Sequence, residues 1–266
     1  IRVSFGKSNN LKQIDMFIDF IRMNFINYYE TEIINKDIIK NNKLTINNIY
    51  IYPIKSCGGY EINEWDIGTS GLLYDREWCL INMENKVLGQ KKVPDLALLK
   101  CSINLEKNEL LIKHKDNSLI INIEDNPEES VVQKQCVYTN EGYIYNDTIN
   151  NWFSKCLNIK CKLVRTSFSR KMNLNEKKLS FSNEGQFLLV NNKSIKDVND
   201  RGYFEFNYKR YRPNIVITSD EAYDEDNWES IENDNIKLVY FNRCKRCNMV
   251  NINQETGQTE SGEPLL

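Results

Sequence analysis

Apolar residues along most of this chain recur at every second position or in short unbroken runs, the periodicities of strands. Such runs are "NIYIYPI" from Asn48, "EWCLINM" from Glu77, "LLKCSINL" from Leu98, "ELLIKH" from Glu109 and "SLIINIE" from Ser118. Turn residues separate them, among them Glu106-Lys107-Asn108 and Asp116-Asn117. Strands this closely spaced predict a β-barrel or sandwich rather than a parallel α/β sheet. Further strands are expected at 1–6, 186–190, 214–218, 236–241 and 248–253. Helical spacing is rarer. Leu11, Ile14, Phe17, Ile18, Ile21 and Phe25 share one face behind the cap candidates Asn9 and Asn10. Ile149, Trp152, Phe153 and Cys156 predict a helix over 147–157, and a shorter one is expected at 193–200. Residues 30–46 are polar without a stripe and read as a linker. The expected fold class is therefore mostly β with a few helices.

Composition narrows the function classes. The 266 residues suit one large domain or one and a half ordinary ones. A formal net charge of −2 gives no global basic field, which argues against nucleic acid as a partner. The longest apolar runs, "DLALL" and "QFLLV", are far shorter than the ~20 residues of a membrane helix, so no membrane segment is expected. The chain opens at Ile1 inside a strand-like run, with no initiator Met and no leader, and reads as a fragment of a longer protein. Its eight cysteines then read as free thiols of a cytoplasmic protein rather than as a disulfide scaffold. Cys79 and Cys101 fall within apolar strand patterns and are expected in the core.

Most catalytic schemes find no residues. His114 is the single histidine, at a strand end beside lysines, and is expected at the surface, so a histidine triad or histidine-rich metal site is excluded. No GxGxxG, GxxxxGK[ST] or DxD motif occurs. The stretch "NRCKRCNMV" instead sets Cys244 and Cys247 three apart among Arg243, Lys245 and Arg246. Structural zinc would need two more ligands, and no second CxxC supplies them. A thioredoxin-like dithiol would need a helix after the motif, whereas strand-like runs flank it on both sides. The third reading is one thiolate stabilised by its basic neighbours, a form that is also a soft metal ligand. The bland alternative is a buried, inert Cys247 with solvated cations.

Two other regions carry anion-binding chemistry. In "YPIKSCGGYE", Lys55 and Ser56 follow a strand and precede Gly58-Gly59, a turn whose N–H groups, hydroxyl and amine can cradle a phosphate. Arg76 in "LLYDREW" and Arg212 in "YKRYRPNIVI" stand at strand mouths, where guanidinium forks suit an anion held by paired hydrogen bonds.

In order, "YPIKSC", "GLLYDREW", "GQKKVPDLALL", "RPNIVI" and "CKRCNMVNINQETGQ" resemble the MOSC family with its N-terminal β-barrel companion, and within it the C-terminal region of eukaryotic molybdenum cofactor sulfurases. "IRVSFG" and the amphipathic helix after it resemble the end of the pyridoxal-phosphate cysteine desulfurase domain that precedes this region in those enzymes. The resemblance implies a desulfurase tail over 1–29, a linker over 30–46, a MOSC N-terminal β subdomain over 47–167 and a C-terminally incomplete MOSC β-barrel over 168–266.

That resemblance also implies a function. The region holds molybdenum cofactor (molybdopterin) and delivers sulfur to it, activating xanthine dehydrogenase and aldehyde oxidase as acceptors. Pyridoxal phosphate would belong only to the preceding desulfurase domain, which is a further partner. By motif, Lys55, Ser56, Arg76 and Arg212 would hold the pterin and its phosphate, assisted by Asn214 and Arg246. Cys247 would be both the working thiolate and the molybdenum ligand, with Cys244 its neighbour. Two other readings use the same pocket: an amidoxime-reducing molybdenum oxidoreductase, and a non-catalytic cofactor-binding fragment. The chain departs from the family pattern at Asp95, where an arginine is usual, at Tyr145-Asn146-Asp147, where Cys-Gly-Asp is common, and at its ending "SGEPLL", beyond which relatives continue.

Overall fold

A computed structural model describes residues 44–260, apart from 126, 128, 136, 137, 172–176, 203–205 and 246. The strand and helix expected over 1–29, and linker residues 30–43, lie outside the described residues. The rest is mostly strand with two α-helices, as the hydrophobic pattern requires. The strands form separate ladders, and no closed barrel occurs among the described residues.

One four-stranded sheet joins distant parts of the sequence. β1 (Thr45–Ile51) and β2 (Tyr60–Ile62) pair antiparallel. β1 also pairs antiparallel with the strand Ile215–Thr218, and that strand runs parallel to Leu189–Asn191. A ten-residue helix, Asn192–Arg201, lies in the connection between those two parallel strands, as a crossover demands.

A second four-stranded sheet carries the core. Its strands are Trp78–Asn82, Glu129–Gln135, Tyr138–Ile144 and Cys161–Thr166. The three last-named strands escape the hydrophobic pattern, because charged and amide residues interrupt their apolar positions. The strand Trp78–Asn82 is apolar at consecutive positions because both of its faces are covered. Trp78 and Leu80 face a large cluster with Leu96, Leu110, Phe153 and Leu163, while Cys79 and Ile81 face Ile144, Val164 and Phe181. Cys79 and Cys101 are core residues, as expected.

The helix Asp147–Leu157 has the bounds that its stripe predicts. Asn146 caps it by accepting from the N–H of Ile149, and Asn158 ends it in the left-handed conformation. The runs from Leu98, Glu109 and Ser118 form a three-stranded meander, Lys100–Asn104, Glu109–His114 and Asn117–Asn122. His114 ends the middle strand buried rather than at the surface. Burial and the neighbouring Lys115 push its pKa down, so the core side of the meander favours the neutral ring.

Residues 248–253 do not form the expected strand. Asn248–Asn251 is a 3₁₀ turn packed on a second 3₁₀ turn, Tyr208–Tyr211, with Val250 seated against Val190 and Tyr211. The alternation of Val250 and Ile252 mimics a strand, but these side chains fill a small core and the backbone closes on itself. Among the described residues no helix is long and apolar enough to cross a membrane.

Candidate functional site

The site grows from the end of β1. The backbone of Tyr52 is clamped from both sides: Asp75 Oδ1 accepts from its N–H at 2.9 Å, and the N–H of Arg76 donates to its carbonyl at 2.8 Å. This fixes the phenol ring as a platform. The guanidinium of Arg212 lies over the ring at 4.3 Å from its centroid, and that of Arg76 lies at 4.7 Å. Gly59 backs the platform, because a Cβ there would come within 2.5 Å of the Tyr52 ring.

Asn214, fully buried, joins three elements. Its Oδ1 accepts from Arg76 Nη1 at 3.0 Å and from the N–H of Leu188 at 3.2 Å, while its Nδ2 donates to the carbonyl of Tyr50 at 3.2 Å. Arg76 also donates to the carbonyl of Arg212 at 2.9 Å and pairs with Asp75. Lys55 reaches the segment after residue 180, donating to the carbonyl of Phe181 and to Asn183 Oδ1, each at 2.7 Å. Ser56 follows it, buried. Of the residues read as cofactor-binding in the sequence, Lys55, Ser56, Arg76, Arg212 and Asn214 therefore gather in one place. Arg246 lies outside the described residues.

Cation outweighs anion in this cluster. Burial, then the Arg76 guanidinium, with Arg170 and Arg212 adding, pushes the Lys55 amine down to about 7. Burial likewise brings Arg212 down to about 10, although the Tyr52 ring opposes the shift. Arg212 forms no ion pair among the described residues, and its buried Nη2 has no hydrogen-bond partner. The hydroxyls of Ser180 and Ser182, buried nearby in sequence to the Lys55 contacts, also lack partners. Backbone strain collects here too. Ser56, Arg76 and Arg212 all have positive φ, 68°, 51° and 56°, a conformation that costs a non-glycine residue roughly 1–3 kcal/mol.

Sequence reasoning missed three members of this cluster: Tyr52, Gln90 and Gln254. Gln90, fully buried, donates to the carbonyl of Ser56 at 2.7 Å and to Gln254 Oε1 at 2.9 Å. Gln254 Nε2 returns a bond to Gln90 Oε1 at 2.8 Å, and Gln254 Oε1 accepts from Arg212 Nη1 at 3.1 Å. A fixed turn sets Gln254 in place. Asn253 Oδ1 accepts from the N–H groups of Glu255 and Thr256, and Gly257 closes the turn with φ 67° against Leu98. The signal was present, since Gln90 and Gln254 stand in the motifs "GQKKVPDLALL" and "NINQETGQ".

The thiols divide sharply. Cys57 lies in the core, where burial and a hydrogen bond with Cys101 push its pKa well up. Cys247 is exposed at the entry to the 3₁₀ turn Asn248–Asn251, and Cys244 is exposed three residues earlier. The burial proposed as the bland reading of Cys247 is thus excluded. The loop holding these cysteines follows the hairpin Ser230–Glu232 and Lys237–Val239, and Arg243 turns to Asp226 at 3.4 Å. No hydrogen bond joins the Cys247 thiol to the arginine cluster among the described residues. The chain reaches that cluster seven residues later, at Gln254. Asp95 lies exposed in the 3₁₀ turn Pro94–Leu98, close enough to act on His114.

The family profile for the MOSC N-terminal beta barrel domain matches residues 43–160, and that for the MOSC domain matches 176–265. The chain belongs to the MOSC family. Over its whole length this MOSC chain is 33% identical to a rice (Oryza sativa subsp. japonica) protein named molybdenum cofactor sulfurase, and it spans 37% of that protein. The human protein of that name is 32% identical over 80% of this chain, which spans 27% of it. For Drosophila melanogaster the figures are 28% identity, 97% of this chain and 36% of the relative. The MOSC chain thus covers well under half of each relative.

Proposed function

We propose that this chain binds molybdenum cofactor as its substrate and takes part in its sulfuration, as the C-terminal region of a molybdenum cofactor sulfurase. The observation that carries this reading is the buried Arg212, charged, without an ion pair among the described residues, and with one Nη group unpartnered. A buried cation in this condition is stabilised by an anionic ligand, and the cofactor's phosphate is one. Lys55 and Arg76 extend the same positive field, and the buried hydroxyls of Ser180 and Ser182, which flank the Lys55 acceptor Phe181 in the sequence, are further donors without a partner. Tyr52, already stacked under two guanidiniums, gives the site a planar wall. Asn214 holds Arg76 in place, and Arg246 adds charge next to Cys247.

Cys247 supplies the thiolate, for sulfur or for molybdenum. Its exposure lets a persulfide donor reach it. The thiolate attacks the outer sulfur of a cysteine persulfide, the donor's S–S bond breaks, and the donor leaves as a thiolate while Cys247 carries the persulfide. No net oxidation occurs. The donor would be the pyridoxal-phosphate desulfurase domain of the full-length protein. Xanthine dehydrogenase and aldehyde oxidase would be the acceptors of the sulfurated cofactor, in the cytoplasm.

The test is a loading assay on the full chain mixed with molybdenum cofactor, reading oxidised pterin fluorescence, molybdenum and cyanide-labile sulfur. Arg212→Ala should weaken pterin retention by about a hundredfold, the worth of two charge-assisted hydrogen bonds. Cys247→Ser should keep the pterin and lose metal or labile sulfur. A parent chain that retains no pterin would sink the reading, and reduction of N-hydroxylated substrates by the loaded chain would replace it with the oxidoreductase one.

A further inference from the structure

Arg76 and Arg212 face the same phenol ring but are held by different kinds of partner. Arg76 is paired with the carboxylate of Asp75, so its charge is largely compensated. Arg212 is held by a neutral amide, Gln254 Oε1, and by the Tyr52 ring face. We propose that Gln90 and Gln254 form a neutral clasp that aims the Arg212 guanidinium at an anionic ligand without compensating its charge. The ligand half of this inference rests on the cofactor reading above.

The hydrogen-bond network fixes which way both amides point. Gln90 Nε2 must face the Ser56 carbonyl, which can only accept. Gln254 Nε2 must likewise face the carbonyl of Ile252, at 3.1 Å. The reciprocal Gln90–Gln254 bonds then follow, and Gln254 Oε1 is left turned to Arg212 Nη1. Lys100 Nζ fastens the backbone of the same residue by donating to the Gln254 carbonyl at 2.8 Å. Every polar atom of the two amides is engaged, so the clasp has one arrangement. With Nη1 tied to Gln254, and the guanidinium plane set by Tyr52, the direction of the unpartnered Nη2 is determined as well. A carboxylate at position 254 would still accept from Arg212, although without the bonds that Gln254 donates to Gln90 and Ile252, and it would cancel the charge that an anion needs. The clasp also bonds to Ser56 at one end and reaches Arg212 at the other, so two ligand-facing residues are set in register by a pair that need touch no ligand. Gln90 and Gln254 are positioning residues.

Two measurements on the full chain decide this. The first needs no ligand: side-chain NMR of arginine-labelled protein, with the Arg212 signals assigned by their loss in Arg212→Lys. Slow rotation about the Nε–Cζ bond should give separate Arg212 Nη1 and Nη2 signals in the parent and in Gln254→Glu, and merged signals in Gln254→Leu and Gln90→Leu. The second measures binding of molybdenum cofactor and, separately, of inorganic phosphate. Gln254→Leu should weaken both by about tenfold, one charge-assisted hydrogen bond's worth of orientation, and should add nothing in an Arg212→Ala background. Gln254→Glu should also bind more weakly although it folds and holds Arg212, an outcome that a purely structural role would not produce. Unmerged signals in Gln254→Leu would overturn the clasp. So would an undiminished Gln254→Leu effect in the Arg212→Ala background, or parent-like binding by Gln254→Glu. A parent that binds neither probe overturns the cofactor reading and the ligand half of the clasp, while the NMR signals still decide whether Arg212 is held.

Discussion

The arginine cluster and the cysteine loop differ in almost every physical respect, although the resemblance assigns them to one reaction. In the cluster, side chains from five separate stretches of sequence are packed together, strained and interlocked through Asn214, Gln90 and Gln254. In the loop, Cys244 and Cys247 are exposed, and the thiol of Cys247 is tied to nothing in the cluster. On the cofactor reading, recognition would be built into the scaffold, whereas the reactive group would be carried on an exposed segment that meets the cluster downstream, at Gln254. Such a division would let a sulfur donor reach the thiol while a bound cofactor stays fixed. It also means that binding and chemistry should come apart under mutation.

The comparison is broken most strongly at Asn214. Asn214→Ala removes bonds to Arg76, to the N–H of Leu188 and to the Tyr50 carbonyl, in a fully buried place. The expected loss is about 2–4 kcal/mol of stability, read by chemical denaturation, with cofactor affinity falling in parallel. An intact stability would mean that the cluster is not interlocked.

Lys55 sharpens the comparison through pH. Its amine is held down at about 7 in the folded chain against an ordinary 10.5, so the unfolded chain binds more protons between those values. Its contribution to stability therefore improves as pH rises from about 7 toward 10.5. A bound phosphate dianion favours the protonated amine, so affinity should move the opposite way, falling by up to about tenfold per unit above pH 7. Parent and Lys55→Met, compared for both quantities between pH 6 and 9, should differ with these opposite signs; equal slopes would remove Lys55 from the site.

The smallest effect belongs to the loop. Cys247→Ser should change stability by no more than about 0.5 kcal/mol and leave pterin affinity unaltered, as expected for an exposed side chain with no hydrogen bond among the described residues. Thermal denaturation and dialysis would check it, and a large destabilisation would place the thiol inside the cluster after all.

What could be read in the sequence follows from how local its cause is. The helix 147–157 was legible because its stripe, its cap Asn146 and its stop at Asn158 are all encoded within a dozen residues. Lys55, Arg76 and Arg212 were legible as chemistry, and their convergence was implied by the MOSC resemblance. Gln90 and Gln254 were not, because an amide gains its role only from a partner 164 residues away. The burial of His114 was hidden for a similar reason: its flanking lysines suggest solvent, but strand alternation turns the ring inward. At 248–253 the alternation itself misled, since a 3₁₀ turn can also bury Val250 and Ile252.

The sheet that brings Tyr50 beside Asn214 has a consequence for how the protein is made. Arg76 leaves the ribosome 136 residues ahead of Arg212, and Gln90 leaves 164 residues ahead of Gln254. At about 5–20 residues per second, the first half of the site waits roughly 8–30 s for the second. Throughout that interval β1 lacks its central partner, and Asp75 and Arg76 stand without Asn214. Nascent chains are therefore open to aggregation until Ile215–Thr218 emerges to pair with β1, and the bonds between Gln90 and Gln254 can close only after synthesis has passed Gln254.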